Sequence, residues 1–162
     1  MIPEDLKDCA EAAAIEAWDP SSLAGGRIDA GQASLEIPPE KIVAVCRFLR
    51  VERKFNRLSA VTVVDWYPDE PRFEVVYLLH SLERGLRLRL KCRLPGLDPE
   101  IDSVTGVWPA ANWHEREAFD LFGVRFRHHP DLRRILMPED WTGHPLRKDY
   151  PIAGYRYPIE NE

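Results

Sequence analysis

The sequence contains few cysteines, no long apolar run and no glycine-rich nucleotide loop, and each shortage argues against a class of function. Its three cysteines, Cys9, Cys46 and Cys92, are scattered and form no Cys-x-x-Cys pair. An iron–sulfur cluster usually takes about four thiolates and a structural zinc ion about four close ligands, so this chain alone fits neither. We therefore expect the cysteines to be buried, reduced thiols of a cytoplasmic protein.

The sequence also shows no pattern typical of a membrane span, a targeting signal or a nucleotide-binding loop. No stretch approaches the roughly 20 apolar residues that a transmembrane helix needs. Residues 1–8 lack a basic region followed by an apolar run, so we expect no signal peptide and any membrane contact only through partners. No nucleotide-binding glycine motif or Gly-x-Ser-x-Gly elbow occurs. The net charge of −5 gives no reason to expect nucleic acid as a main partner.

The chain has the size and composition of one folded domain, with 162 residues, of which 44% are apolar and 30% charged. Helical spacing of apolar residues predicts helices over residues 4–18, 38–53 and 110–122. Alternation and β-branched residues predict strands over residues 33–37, 58–67, 72–80, 86–94 and 124–127. The turns between the central strands are too short for crossover helices. We therefore predict an α+β fold: a largely antiparallel sheet, arranged as a meander, with helices on one face and an extended C-terminal arm.

The strand over residues 86–94 alternates most strictly. Leucines and one cysteine face one way, which predicts one buried face and one wet face. The opposite face carries the basic residues Arg87, Arg89, Lys91 and Arg93. This basic face is either an ordinary solvated surface or a binding surface for an anion or an acidic partner.

From Pro130 onward neither helical nor strand periodicity is sustained. Prolines recur at positions 130, 138, 145, 151 and 158. The segment nevertheless contains aromatic and aliphatic residues, such as Leu136 and Trp141, which is too much apolar surface for a solvated tail. We predict an α+β domain over residues 1–129 and an extended, proline-rich, partner-wrapping arm over residues 130–162, which takes its structure only on a partner.

Histidines and carboxylates near the start of this arm suggest a second chemistry. The candidate metal ligands are His128, His129, His144, Asp131, Glu139 and Asp140. Because prolines interrupt this segment, we expect these side chains to act as caps or to hydrogen-bond to a partner's backbone, and we expect no metal site in this chain. An independent metal hydrolase would use His128, His129, Glu115 and Asp120. The dipeptide His114-Glu115 begins like a zinc-protease motif, but Ala118 stands where the second histidine is needed.

The helix over residues 110–122 carries charges that need partners. Arg116 and Asp120 are i, i+4 neighbours and can pair. Glu115 lies on the apolar face, where a buried carboxylate needs a partner. The arginines of the arm, Arg133, Arg134 and Arg147, could pair with Glu115, Glu117 and Asp120, or with acidic groups of another protein chain. We therefore predict that Arg133→Ala would loosen the arm or the docking.

These charges also form a long motif. It consists of Glu115-Arg116-Glu117, Asp120, Leu121-Phe122, His129, Arg133 and Ile135. It includes two continuous stretches, His129-Pro130-Asp131-Leu132-Arg133-Arg134-Ile135-Leu136 and Gly143-His144-Pro145-Leu146-Arg147-Lys148-Asp149-Tyr150-Pro151. In spacing and residue type, the segment from His114 to Tyr157 resembles the 30 kDa, or C-type, subunit of NADH-quinone oxidoreductase, which is respiratory complex I.

The resemblance implies a cofactor-free structural subunit in the peripheral arm of a proton-translocating enzyme. It would dock the catalytic subunits, chiefly the D-type chain and the iron–sulfur subunits, on the cytoplasmic side of the cell inner membrane. FMN, iron–sulfur clusters and quinone would be bound by other subunits, and this chain would hold no catalytic residue. Related membrane-bound hydrogenases carry the same domain. The expected assembly residues are Glu115, Arg116, Glu117, Asp120, His129, Arg133, Arg134, Arg147, Lys148 and Asp149.

Overall fold

The computed structural model describes residues 6–154. The helices are α1 (Ala10–Trp18), α2 (Ile42–Val51) and α3 (Ala111–Phe122). The strands are β1 (Gly25–Asp29), β2 (Gln32–Glu36), β3 (Arg57–Asp65), β4 (Phe73–Ser81), β5 (Leu86–Leu94), β6 (Glu100–Asp102) and β7 (Arg125–Arg127). The predicted start of the first helix at residue 4 and the end of the predicted arm at residues 155–162 lie outside this range. None of the three helices is long and apolar enough to cross a membrane.

The main sheet has five strands in the order β1-β2-β5-β4-β3. Strands β3, β4 and β5 form the antiparallel meander that the short turns predicted. Strand β2 pairs with β5 in parallel, because the chain passes from β2 through α2 to β3 at the far edge before the meander returns. The fold class is therefore confirmed, with one parallel pair added to a largely antiparallel sheet.

The edge hairpin β1–β2 was not predicted in full. Its second strand was expected, whereas its first strand, Gly25–Asp29, was not among the predicted strands. The actual turn lies at Ala30 and Gly31, whose φ angles are 49° and 75°. Two left-handed residues in a row are typical of the tight turns that suit the twist of a hairpin.

The helices bury one face of the sheet. Inward-pointing residues of the central strands, such as Val63, Tyr77 and Leu90, are at most 5% exposed. Helical residues such as Ile15 and Leu49 pack against them, and all three cysteines are buried in or beside the same core. The sheet and α3 thus form a rigid base for the segment that follows β7.

Helix α3 ends at Phe122, as predicted, and Gly123 follows it. Gly123 has a φ of 76°, the left-handed conformation that glycine adopts without strain. A Cβ atom at this position would lie 2.6 Å from the side chains of both His144 and Arg147. Glycine is therefore needed both to end the helix and to let the later segment approach its end.

Candidate functional site: the latch at the end of helix α3

The carboxylate of Asp120 is the centre of the contact between α3 and residues 131–149. It is fully buried and accepts hydrogen bonds from the backbone N–H groups of Ile135, Leu136 and Met137 at 3.0, 2.7 and 2.8 Å. The Nη1 of Arg134 donates to it at 2.7 Å. Burial alone would raise the pKa of Asp120, but these donors outweigh it and hold the pKa below its ordinary value.

The carbonyl groups of the last turn of α3 also receive donors from this segment. The last four carbonyls of a helix have no partner within the helix itself. The cap residue Gly123 donates its N–H to Phe119 O at 2.8 Å. The segment supplies the other three donors: His144 Nδ1 to Asp120 O, Leu146 N to Leu121 O, and Arg147 Nε to Phe122 O, at 2.9, 3.1 and 2.6 Å. We call the contacts of Asp120, Arg134, His144 and Arg147 the α3 latch.

Arg116 binds the beginning of the same segment, at residues 133 and 134. Its Nε donates to the carbonyl of Arg133 at 3.1 Å and its Nη2 to the carbonyl of Arg134 at 3.0 Å. Its guanidinium lies 5.1 Å from the ring centre of Trp113. The predicted i, i+4 pair with Asp120 does not form, because Asp120 is engaged by Arg134 and by backbone donors that no helical spacing reveals.

Glu115 finds partners other than the predicted arginines. Its carboxylate accepts from Ser103 Oγ at 2.6 Å and from Val104 N at 2.8 Å, and it is completely buried. The expectation that it needs a partner is confirmed, but an arginine is not that partner. Burial raises the pKa of Glu115 to about 7, more than the two hydrogen bonds lower it.

His129 lies beside Glu115 in a defined orientation. Its Nε2 is 3.9 Å from Glu115 Oε2 and 3.2 Å from the carbonyl oxygen of Asn112, to which it can only donate. Its Nδ1 accepts from the backbone N–H of Asp131 at 3.0 Å. These contacts match neutral imidazole with the proton on Nε2. Burial lowers the pKa of His129, which favours that neutral form.

A second contact joins residues 148 and 149 to the β3–β4 hairpin. Arg72 forms a bidentate pair with Asp65, both bonds being 2.8 Å, and also bonds both carboxylate oxygens of Asp149 at 2.6 and 2.9 Å. The backbone N–H of Lys148 donates to Asp65 at 2.9 Å. We call this group the hairpin latch. Lys148 and Asp149 are among the assembly residues expected from the sequence, whereas Asp65 and Arg72 are not.

Two of the predicted assembly residues lie at the surface and take part in neither latch. Glu117 is exposed on α3, and Arg133 pairs with Asp131, where both side chains are more than half exposed. The predicted effect of Arg133→Ala therefore had the wrong physical reason, since the guanidinium that reaches Asp120 belongs to the next residue, Arg134.

The candidate metal ligands are not brought together. His144 belongs to the α3 latch, while His128 is exposed and lies 3.7 Å from Asp102. Within residues 6–154 no group of three histidine, cysteine or carboxylate side chains could hold a metal ion. Asp120, a proposed hydrolase residue, is fully occupied by donors of the chain itself.

Contacts from the chain's own domain support the segment that was expected to need a partner. The α3 latch and the hairpin latch hold residues 131–149 against α3 and the sheet. The expectation that this segment is structured only on a partner is corrected for these residues. Partner wrapping by residues 130–162 stays a prediction.

Comparison with known proteins places this arrangement in one family. Residues 35–156 match the family model described as the 30 kDa subunit of respiratory-chain NADH dehydrogenase. A C-type subunit of NADH-quinone oxidoreductase from Rhizobium etli, the one numbered 2, is 57% identical over 122 residues, covering 74% of this chain and 65% of that protein. The C-type subunit of Geobacter sulfurreducens is 53% identical over 125 residues, covering 76% of this chain and 77% of that protein. The matched part of the chain thus spans slightly less than two thirds of the length of the Rhizobium relative.

Two solved structures have a similar fold. A trypsin-resistant fragment of Nqo5 superposes with a TM-score of 0.65 and 32% identity, covering 74% of this chain and 97% of the fragment. A chain of an archaeal membrane-bound sulfane sulfur reductase superposes with a TM-score of 0.75 and 26% identity, covering 93% of this chain and 92% of that chain. On these grounds, and on the motif that forms the α3 latch, the chain belongs to the family of the respiratory-chain NADH dehydrogenase 30 kDa subunit.

Proposed function

We propose that this chain is a cofactor-free structural subunit of the peripheral arm of a proton-translocating NADH-quinone oxidoreductase, and that it docks the catalytic subunits. One observation carries the proposal: most motif residues bond to the chain's own backbone and side chains, as Asp120 and Arg116 do. Groups held in this way shape a surface and are poorly placed to attack or release a substrate.

The proposed partners are a D-type chain and the iron–sulfur subunits, on the cytoplasmic side of the cell inner membrane. In this proposal FMN, the iron–sulfur clusters and quinone are bound by those other chains. The relatives named as C-type subunits of NADH-quinone oxidoreductase support this assignment. Recovery of a large hydrogenase-like chain with the tagged protein from its native host is the test. Recovery of the tagged protein without that chain would contradict the proposal.

The exposed side of α3 is the best candidate for the docking contact. Trp113 is 61% exposed, and Glu117 lies one turn further along the same face. Arg133 is exposed beside the root of the arm that Arg116 holds. Tryptophan and arginine are frequent among the residues that dominate binding energy at interfaces. Trp113, Glu117 and Arg133 are therefore proposed to meet the partner directly.

The double variant Glu117→Ala/Arg133→Ala separates docking from folding. We expect the free energy of unfolding to change by less than about 0.5 kcal/mol, since both side chains are at the surface. We expect the recovery of partner chains to fall, and to fall further when Trp113→Ala is added, at a cost of about 2 kcal/mol of binding. Denaturation and quantitative co-purification measure the two effects. Arg50→Ala/Glu52→Ala, an exposed pair at the end of α2, is the matched control, and equal losses in both variants would refute the docking role.

A membrane-bound hydrogenase-type complex is the second candidate. It is favoured by the archaeal sulfane sulfur reductase chain, which covers more of this chain and has a higher TM-score than the Nqo5 fragment. The electron donor of the purified assembly decides between them. Oxidation of NADH supports the first proposal, and a complex that accepts electrons only from another low-potential donor supports the second.

The independent metal hydrolase has no support in the geometry. His128 and His129 diverge, because His128 lies at the surface near Asp102 while His129 is turned toward Glu115 and Asn112. Metal analysis of the pure chain tests this directly. Stoichiometric zinc or iron together with turnover would restore the hydrolase.

A further inference from the structure

The two faces of the main sheet differ in chemistry. On β5 the inward residues Leu88, Leu90 and Cys92 are at most 3% exposed and pack with the helices. The opposite face of β5 is lined by half-buried or exposed basic residues, and we call it the basic face: Arg87, Arg89, Lys91 and Arg93. The helices of the described range place their buried residues on the inward face, so the basic face is not covered by α1, α2 or α3.

Within residues 6–154, the positive charge of the basic face is only partly neutralised. Glu74 on β4 lies 3.1 Å from Lys91 Nζ and 3.7 Å from Arg93 Nη1, so one carboxylate serves two cations. Arg89 donates to the hydroxyl of Ser34 at 3.3 Å. Within residues 6–154, neither Arg87 nor Arg89 has a carboxylate at salt-bridge distance. Because the whole chain carries a net charge of −5, this surplus of positive charge is local.

An aromatic side chain extends the same face. The guanidinium of Arg93 lies 5.2 Å from the ring centre of Trp66, which is 41% exposed just beyond the end of β3. Val64 on the outward side of β3 is 37% exposed. The cores of protein–protein interfaces are enriched in tryptophan and arginine. An exposed tryptophan on a face whose positive charge is incompletely neutralised distinguishes this surface from a uniformly polar, solvated one.

We infer that the basic face is a second docking surface, and that it binds a carboxylate-rich segment of another protein chain in the same assembly. Arg87 and Arg89 supply planar donors that match carboxylates in a bidentate manner. Trp66 supplies the apolar contact at one end. The inference rests on the proposed role as an assembly subunit, and it concerns the face of the sheet, which is separate from Trp113, Glu117 and the latches.

Carbodiimide cross-linking of the purified assembly tests the contact chemically. The variant Arg87→Lys/Arg89→Lys keeps the charge and places amines where no carboxylate of residues 6–154 is at salt-bridge distance. We expect mass spectrometry to find amide links from these lysines to aspartate or glutamate of another chain. Links confined to this chain, or the absence of any link, would overturn the inference. Recovery of the large hydrogenase-like chain in the same sample shows separately whether the proposed function holds.

Charge reversal measures the strength of the contact. We expect Arg87→Glu/Arg89→Glu to lower recovery of the cross-linked partner about tenfold at low salt, with a smaller effect at high salt, because exposed charge pairs are screened. Arg50→Glu/Lys54→Glu makes the same change of charge away from the basic face and should leave recovery unchanged. Equal recovery with the wild-type chain and the reversed variant would overturn the inference.

Binding of the basic face to an anionic lipid surface is the alternative to a protein partner. Vesicles of phosphatidylcholine with phosphatidylserine serve as the probe, with the purified chain sedimented in their presence. We expect no sedimentation that depends on Arg87 and Arg89. Binding to these vesicles that is lost in the charge-reversed variant would assign the face to anionic lipid and would overturn the proposal of a protein partner.

Discussion

Replacement of Asp120 by alanine is expected to weaken the attachment of residues 131–149 to the domain by about 3–5 kcal/mol. The substitution removes the acceptor shared by the backbone N–H groups of residues 135–137 and by Arg134 Nη1. The three N–H groups would then lack their acceptor, and their desolvation would no longer be compensated. The half-buried guanidinium of Arg134 would lose its carboxylate and keep only the carbonyls of Asp120, Trp141 and Gly143. Hydrogen exchange at the three N–H groups should therefore accelerate strongly, and trypsin should cleave after Arg133 and Arg134.

Two further substitutions make this result specific. Asp120→Asn keeps the shape and one acceptor oxygen but removes the charge, so we expect a loss of about 1–3 kcal/mol. Asp131→Ala removes a carboxylate that is 58% exposed and pairs with exposed Arg133 at 2.9 Å, so its effect should stay below about 1 kcal/mol. Equal protection from exchange in Asp120→Ala and Asp131→Ala would contradict the central place of Asp120 in the α3 latch.

The periodic elements could be predicted from the sequence because their signals lie within a few residues. The alternation along β5 and the helical spacing before Gly123 each specify a local geometry and a buried face. The hairpin latch could not be predicted in this way. Lys148 and Asp65 are 83 positions apart, and no local pattern connects them. In the sequence, Asp65 and Arg72 stand on either side of the turn between β3 and β4. Their role depends on the position of residues 148 and 149 in the folded chain.

The choice of partners at α3 failed for a related reason. Arg116 and Asp120 have the spacing of a helical ion pair, which is worth only about 0.5 kcal/mol. The arm offers Asp120 three backbone donors and an arginine in a buried site, and it offers Arg116 two carbonyls. These contacts are more stable than the helical ion pair and form in its place. The sequence shows only that charged residues and prolines follow α3, and it does not show which of their atoms reach Asp120 and Arg116. The motif predicted that the segment matters, and the structure was needed to show which atoms meet.

Glu115 gives the second large effect, a stability that depends on pH. Burial raises its pKa from the ordinary 4.5 to about 7, so the folded chain keeps a proton that the unfolded chain loses between these values. At this carboxyl the folded state binds more protons in the window, so the contribution of Glu115 to the free energy of unfolding decreases as the pH rises from about 4.5 to about 7. A shift of this size corresponds to about 3 kcal/mol over the whole window.

Glu115→Gln should remove this dependence. Glutamine can accept from Val104 N and donate to Ser103 Oγ while carrying no titrating proton. We expect denaturation curves at several pH values to show that the variant gains stability relative to wild type as the pH rises from 5 to 8, by about 3 kcal/mol. Glu117→Gln, which changes an exposed carboxylate two residues along α3, should leave the wild-type dependence intact. If the free energies of unfolding of Glu115→Gln and wild type changed with pH in the same way across this range, the buried carboxyl of Glu115 would not be the source of the pH dependence.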